Sequence, residues 1–136
     1  MNASTDAKRI LLVDDNRMLR AVTATILISS GYVVLPAENA AQALALLQSE
    51  GPVDLLITDV NMPGMSGVDL ADRLNASDKV KVLFISGNPE QVISFQGLVE
   101  RGTDFLSKPF SARILLERVR ALLQGSEGPR VTIQWT

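Results

Sequence analysis

The sequence predicts a single doubly wound α/β domain, in which a five-stranded parallel sheet carries helices on both faces. Short, continuously apolar runs, typical of strands buried on both faces, alternate along the chain with segments whose apolar residues recur at helical spacing. Strands separated by helices of roughly ten residues pair in parallel, because each connection has to cross over the sheet. The length of 136 residues suits one domain.

The first half of the chain is expected to supply three strands and three helices. The strands are predicted at Arg9–Val13, Tyr32–Leu35 and Val53–Thr58. The helices are predicted at Asn16–Ser30, Ala40–Ser49 and about Val68–Asn75. In the first helix Leu19, Val22 and Ile26 recur at helical spacing, and Gly31 follows as a C-terminal cap. Asn39 is the predicted N-cap of the second helix.

The second half is expected to add two strands and two helices. The strands are predicted at Val80–Ile85 and Thr103–Ser107. A fourth helix is predicted to begin at Asn88–Glu90, with Asn as cap, Pro at the first position and an acid in the first turn, and to end near Gly102. The last helix is predicted over Ala112–Gln124, with Ser111 as its cap and Leu115, Val119 and Leu122 on one face.

The two ends of the chain are expected to lie outside this fold. We expect residues 1–7 to be disordered, residues 8–124 to form the domain, and residues 125–136 to be a linker or a C-terminal stub. Val131–Trp135 alternates like a strand, but a linker is favoured over a docking segment. The polar start resembles no signal peptide, and no apolar stretch approaches the ~20 residues of a membrane span, so a cytoplasmic location is expected.

Composition excludes several classes of chemistry. The chain has no cysteine and no histidine, which removes thiol catalysis, disulfides, histidine general bases and most transition-metal sites. A bound metal would need oxygen ligands, which favours Mg²⁺. The net charge of −2 argues against a nucleic-acid-binding surface, because phosphate contacts need a basic patch.

Polar residues follow the predicted strands at the ends where ligands bind in open parallel sheets. These residues are Asp14, Asp15, Asp59, Ser86 and Lys108. Each has a structural explanation when it is taken alone: an aspartate caps a helix, a lysine is solvated, and a serine lies in a loop. Their coincidence at the strand ends is what favours a functional site.

The chemistry of this set favours phosphoryl transfer. Neighbouring carboxylates repel one another, and a divalent cation or Lys108 relieves that conflict. Mg²⁺ binds one or two carboxylates together with substrate phosphate oxygens. A carboxylate needs no deprotonation at pH 7 before it attacks phosphorus. Asp59 is the best candidate for this nucleophile, because it follows a central strand, between the Asp14-Asp15 pair and Lys108.

The sequence resembles the response-regulator receiver domains of two-component signalling, which have a flavodoxin-like fold. The matching motifs are LLVDDN at Leu11–Asn16, LLITDVNMPGMSGVDL at Leu55–Leu70, VLFISG at Val82–Gly87 and FLSKPF at Phe105–Phe110. They stand in the order of the family and together span nearly the whole predicted domain.

The resemblance implies an aspartyl-phosphate site with Mg²⁺. Asp59 matches the phospho-accepting aspartate of the family. Asp15 matches the direct Mg²⁺ ligand, and Asp14 matches the acid that acts mainly through bound water. Asn61 would offer its backbone carbonyl to the metal.

The resemblance also implies a conformational switch. Lys108 matches the lysine that contacts the phosphoryl group, and Pro109 follows a peptide bond that the family usually holds cis. Ser86 matches the hydroxyl that bonds the phosphoryl oxygen, and Phe105 the aromatic residue that moves with it. Thr and Tyr are frequent at these last two positions, so the bias of the switch is expected to differ while the switch itself survives.

By the same resemblance, the partner is a sensor histidine kinase or a histidine phosphotransfer protein, and the domain catalyses its own phosphorylation and dephosphorylation. The stretch Phe84–Gly87, followed by a divergent fourth helix, is similar to receivers attached to hybrid sensor histidine kinases, which favours a fragment of such a kinase over a stand-alone receiver. No contact with nucleic acid or membrane is expected. Leu116 and Leu123 lie off the apolar face of the last helix, and either mark an association surface, as in a homodimer, or widen the buried stripe.

Two other functions remain open from the sequence. An aspartate-nucleophile phosphatase or phosphotransferase of the haloacid dehalogenase type would place a second acid two residues after the nucleophile, where this chain has Asn61. A flavodoxin-like cofactor carrier would need a phosphate-cradling loop after the first strand, where Asp14 and Asp15 would repel a phosphate.

Overall fold

The computed structural model describes residues 7–75, 80–87 and 103–124. The strands are β1 Arg9–Val13, β2 Val33–Ala37, β3 Leu55–Asp59, β4 Lys81–Ser86 and β5 Thr103–Ser107. The helices are α1 Arg17–Ser29, α2 Ala40–Glu50, α3 Gly67–Asn75 and α4 Ala112–Leu123. The predicted helix over residues 88–102, the expected disorder at residues 1–6 and the tail 125–136 lie outside the described residues.

The five strands form one parallel sheet in the order β2-β1-β3-β4-β5. This confirms the predicted fold class. Strand β3 lies at the centre, with β1 on one side and β4 on the other, so the ends of these three strands are neighbours. All carboxyl ends of a parallel sheet lie at the same edge, and that edge receives the residues that follow each strand.

Alternate residues of each strand enter two separate hydrophobic clusters. Leu11, with its counterparts in β3 and β4, packs against α2 and α3. Its neighbours Ile10 and Leu12 point to the opposite face, where they pack with Leu27 of α1 and Leu115 of α4. Burial on both faces explains why the strands read as unbroken apolar runs rather than as alternating ones.

The predicted bounds of three strands differ from those observed. Strand β2 was expected to end at Leu35 but continues to Ala37, with Pro36 paired to Leu12. A proline is tolerated there because β2 is an edge strand. Strands β3 and β4 begin later than expected, at Leu55 and Lys81. They also end one residue later and so include the polar Asp59 and Ser86, because pairing with the neighbouring strand continues past the apolar run.

The face predicted for the first helix was partly wrong. Val22 is 51% exposed, whereas Thr23 and Leu27 are buried. Ile26 is half-buried and packs against the core cluster beside Leu27. A stripe read from apolar residues alone missed this orientation because the polar Thr23 occupies a central position in the contact with the sheet.

The last helix packs through a wide stripe. Leu115 and Val119 are fully buried, and Leu122 is half-buried against the same cluster. Leu116 and Leu123 are also half-buried and pack there, which favours a wide buried stripe over an exposed association surface. Among the described residues, no helix is both long and apolar enough to cross a membrane.

Two valine substitutions test whether the buried residues are those observed in the structure or those predicted from the sequence. Val119→Ala should lower the free energy of unfolding by about 2 kcal/mol, because it removes buried methyl groups and leaves a cavity. Val22→Ala should change it by no more than about 0.5 kcal/mol, because that side chain is half in solvent. Urea denaturation of both variants measures the difference, and equal losses would contradict the observed orientation of α1.

Candidate functional site

The carboxyl edge of the sheet collects the polar residues singled out in the sequence. Asp14 and Asp15 directly follow β1, Asp59 is the last residue of β3, and Ser86 is the last residue of β4. Lys108 follows β5, and its backbone N–H donates to the carbonyl of Ser86 at 2.8 Å. The structure therefore brings together the residues that the sequence places at strand ends.

Three carboxylates at this edge lie close enough to share one cation. Asp14, Asp15 and Asp59 each offer one oxygen, and these oxygens lie within 4.8 Å of one another. Asp14 and Asp59 are buried, whereas Asp15 is exposed. Clustered carboxylate oxygens of this kind suit a hard divalent cation such as Mg²⁺, which combines a few carboxylates with water and phosphate oxygens.

Asp14 is oriented by the start of the following helix. Its Oδ1 accepts a hydrogen bond from the backbone N–H of Asn16 at 2.9 Å. Asn16 is itself the N-cap of α1, so neither Asp14 nor Asp15 has the capping role that each would have when taken alone. Arg20, one turn into α1, donates to the backbone carbonyl of Asp14 at 2.7 Å.

Burial raises the pKa of Asp14 above its ordinary value of 3.8. Burial is the largest influence on this pKa; the hydrogen bond from Asn16 and the charge of Lys108 act against it, and the charges of Asp59 and Asp15 add smaller contributions in the same direction as burial. In the absence of a cation, an ionised Asp14 is therefore a cost to the folded state.

Lys108 supplies a positive charge at the centre of the cluster. Its Nζ donates to Oδ2 of Asp59 at 2.9 Å and lies 4.0 Å from Oδ2 of Asp14. Burial by itself would lower the pKa of Lys108, but the hydrogen bond to Asp59 and the charges of Asp14, Asp59 and Asp15 outweigh it and raise the pKa. Lys108 is thus an ammonium at neutral pH, and the peptide bond between it and Pro109 is cis.

The loop after β3 holds the second oxygen of Asp59. The backbone N–H of Asn61 donates to Oδ1 of Asp59 at 3.1 Å, so the two oxygens of this carboxylate face different donors. The side chain of Thr58 is fully buried and donates to the backbone carbonyl of Asp59 at 3.0 Å. Sequence reasoning did not identify Thr58 or Arg20 as supports, since neither contact follows from a spacing pattern.

Gly67 permits the tight return of that loop. Its N–H donates to the carbonyl of Val60 at 3.1 Å, and a Cβ at Gly67 would overlap the backbone carbonyl of Asp59. The sequence alone gives this glycine no role apart from its place in the Leu55–Leu70 motif. Its place as the first residue of α3, against the strand that carries Asp59, is a requirement of close packing.

Ser86 and Phe105 lie on neighbouring strands beneath this edge. Ser86 is buried, and the ring of Phe105 is buried against Phe84 with 5.3 Å between ring centroids. The backbone of Phe105 is held by side chains: its N–H donates to Asp104 and its carbonyl accepts from Arg118 at 2.9 Å. The aromatic side chain is therefore part of the core in this conformation.

The comparisons with known proteins agree with this geometry. Residues 10–120 match the family model of the response regulator receiver domain. The chain belongs to this family. Receiver domains bind Mg²⁺ at a cluster of aspartates and interact with histidine kinases or phosphotransfer proteins, and the described residues contain such a cluster.

Curated relatives include two transcriptional regulators. The phosphate regulon transcriptional regulatory protein PhoB of Pseudomonas aeruginosa is 37% identical over 120 residues, which cover 86% of this chain and 52% of that protein. The transcriptional regulatory protein CpxR of Klebsiella pneumoniae is 38% identical over 118 residues, or 87% of this chain and 50% of that one. The chain thus spans about half the length of these relatives.

Solved structures agree on the receiver fold. The receiver domain of the hybrid histidine kinase CckA is 37% identical, with a TM-score of 0.71 over 85% of this chain and 99% of that one. A CheY-like receiver domain protein from Methanospirillum hungatei is 29% identical, with a TM-score of 0.73 over 87% of this chain and 94% of that one. These matches favour a receiver over a small-molecule phosphatase or a cofactor carrier.

Removal of one acid should stabilise the metal-free protein. Asp14→Asn should raise the free energy of unfolding at pH 7 by about 1 kcal/mol, since it removes a buried charge beside two others. The folded protein binds the Asp14 proton more tightly than the unfolded chain does. The wild type should therefore lose stability relative to the variant as the pH rises from 3.8 through the folded-state pKa.

Urea denaturation with EDTA between pH 4 and pH 7 measures this difference. The exposed Asp72→Asn is the matched control and should show no such pH dependence. Added Mg²⁺ should stabilise the wild type more than Asp14→Asn. A variant that is no more stable than the wild type at any pH would contradict the electrostatic account of the cluster.

Gly67→Ala should destabilise the protein by about 2 kcal/mol, within the usual range for overpacking, although alanine normally favours a helix. The new methyl group has to displace the backbone of Asp59. Gly87→Ala is the matched control, since the nearest atom to its new Cβ is the flexible end of Lys108 at 3.9 Å. Thermal denaturation of both variants tests this, and equal stability would contradict the tight contact.

Proposed function

We propose that Asp59 accepts a phosphoryl group from a phosphohistidine of a sensor histidine kinase or a histidine phosphotransfer protein. The observation that carries the proposal is the placement of the Asp59 carboxylate between the Lys108 ammonium, at 2.9 Å, and the carboxylates of Asp14 and Asp15. This arrangement provides a carboxylate nucleophile, an ammonium that can bind a phosphoryl oxygen directly, and two further carboxylates that could hold a Mg²⁺ ion against the other phosphoryl oxygens.

The donor set fits Mg²⁺. The metal would be held by Asp14, Asp15 and Asp59 together with the backbone carbonyl of Asn61, and it would supply positive charge against the phosphoryl oxygens. Asp14, the more buried partner of the Asp14-Asp15 pair, would act mainly through bound water. The neutral Asn61 side chain stands where a haloacid dehalogenase would have its second acid, which favours a receiver role.

Phosphoryl transfer and the later hydrolysis both take place at Asp59. One oxygen of Asp59 forms a bond to phosphorus while the bond from phosphorus to the donor histidine nitrogen breaks, and its electron pair remains on that nitrogen. Lys108, now facing a phosphoryl oxygen, offsets the charge that builds up there. Hydrolysis reverses the state, because water attacks phosphorus and the phosphorus–oxygen bond to Asp59 breaks to release phosphate.

Ser86 and Phe105 would transmit the phosphorylation of Asp59 as a change of conformation. The hydroxyl of Ser86, on the strand next to Asp59, would donate to a phosphoryl oxygen, and Phe105 would move with it. Such a contact exists only in the phosphorylated state, so it shifts the equilibrium between two conformations.

The wider context of the domain is part of the proposal. Residues 8–124 would form the receiver domain, and residues 125–136 a linker or a C-terminal stub. We propose a cytoplasmic location and a parent protein that is a response regulator or a hybrid histidine kinase. The similarity to the receiver of the hybrid kinase CckA supports the latter, whereas the similarity to transcriptional regulators supports the former.

Incubation with Mg²⁺ and acetyl phosphate should add one phosphoryl group to the wild-type chain, measured as intact mass. Asp59→Asn should abolish this gain, because an amide oxygen is a far weaker nucleophile than a carboxylate. EDTA should abolish it as well, because the charge on the phosphoryl oxygens would then be offset by Lys108 alone.

Asp72→Asn is the control and should be labelled like the wild type, since this exposed aspartate lies on α3, away from the cluster. Labelling that persists in a folded Asp59→Asn protein would place the nucleophile elsewhere. No labelling of the folded wild type by acetyl phosphate or by a phosphohistidine donor would overturn the proposed function.

A further inference from the structure

A groove of about 530 Å³, with a surface that is about equally polar and apolar, opens between α2 and α3. It lies at the amino-terminal edge of the sheet, because Val53 precedes β3 and Val80 precedes β4, and so it is opposite the edge that carries Asp59. The apolar residues that line it are Leu44, Leu47, Pro52, Val53, Leu74 and Val80. Val53 and Leu74 are buried, whereas the leucines of α2 are only half-buried. The groove thus leaves apolar side-chain surface for a further apolar group.

The chain leaves its last helix at this same edge. The carbonyl of Leu122, in the last turn of α4, accepts a hydrogen bond from Nζ of Lys81 at 3.0 Å. Lys81 is the first residue of β4, and its neighbour Val80 lines the groove. The segment that follows Gln124 therefore begins near the edge at which the groove opens, but on the opposite face of the sheet, so it has to cross that edge to reach the groove.

The sequence after Gln124 has the length and the pattern to fill the groove. Residues 125–130 (GSEGPR) have linker composition and, when extended, span at most roughly 20 Å. Val131, Ile133 and Trp135 then alternate with Thr132 and Gln134. In an extended segment, such alternation presents three large apolar side chains on one side and polar ones on the other.

We propose that residues 131–135 bind in cis, as an extended segment, in the groove between α2 and α3. The apolar side of the segment contacts Leu47, Leu74 and their neighbours, and its polar side faces solvent beside Gln48 and Arg73, which are exposed on the groove lining. Because the segment is tethered close by, its effective concentration is on the order of 1 mM, so that even mM affinity keeps about half of the molecules docked. The inference does not depend on phosphorylation of Asp59.

Trp135 is the single tryptophan of the chain and reports docking directly. In the full chain, its fluorescence emission should lie at shorter wavelength than in Val131→Ser/Ile133→Ser, and its quenching by acrylamide should be about twofold weaker, as expected for half-occupied docking. Thr132→Ser/Gln134→Ser is the matched control on the polar side of the segment and should behave like the wild type. Both double variants leave every described residue unchanged.

The groove itself is tested by a second matched pair. Leu47→Lys places a charge in the groove and should shift the Trp135 emission to the wavelength of the Val131→Ser/Ile133→Ser variant. Leu46→Lys makes the same change on the same helix, at a half-buried position that packs against the same core cluster but does not line the groove. It should leave the emission unchanged.

Three results would overturn the inference: solvent-like Trp135 emission in the wild type, a short-wavelength emission that survives both Leu47→Lys and Val131→Ser/Ile133→Ser, or a shift that disappears on dilution. The last would identify a second copy of the chain as the source of the contact. Labelling by acetyl phosphate should be the same in all of these variants, so failure here is distinguishable from failure of the proposed function.

Discussion

The contact between Lys108 and Asp59 is the interaction on which the arrangement of the carboxyl edge depends. Asp14, Asp15 and Asp59 lie close enough to share one cation, burial makes an ionised Asp14 a cost to the folded state, and the charge of Lys108 offsets part of this cost. Its position depends on β5, because the backbone N–H of Lys108 bonds to Ser86 at the end of β4. Strand pairing thus controls the electrostatics of the site. The residual repulsion is what gives the cluster its capacity for a cation.

The scaffold beneath the site is rigid because both faces of the sheet are buried. Each strand contributes side chains to two clusters, so a shift of any strand would disturb the packing on both sides. Supports such as Thr58 and Gly67 connect Asp59 to this scaffold through its backbone.

The two edges of the sheet have different characters. The carboxyl edge is polar and acidic, because loops and strand ends deliver carboxylates there. The amino edge has no such acidic cluster among the described residues; between α2 and α3 it carries an open groove to which Leu47 and Leu74 contribute apolar surface and Gln48 and Arg73 polar surface. Strands of five or six residues keep these edges roughly 17 Å apart. Chemistry at one edge and association at the other can therefore be altered independently.

The sequence by itself determined the parallel α/β fold, most element positions and the set of strand-end residues, because hydrophobic periodicity and capping are local properties. Asn39 and Ser111 cap their helices as predicted. Only the tertiary structure decided what depends on contacts between distant segments. It exposed Val22 to solvent, buried Thr23 in the core and extended β2 past Pro36. These features depend on how helices orient and how strands pair across the sheet, and the spacing of residues along the chain does not predict them.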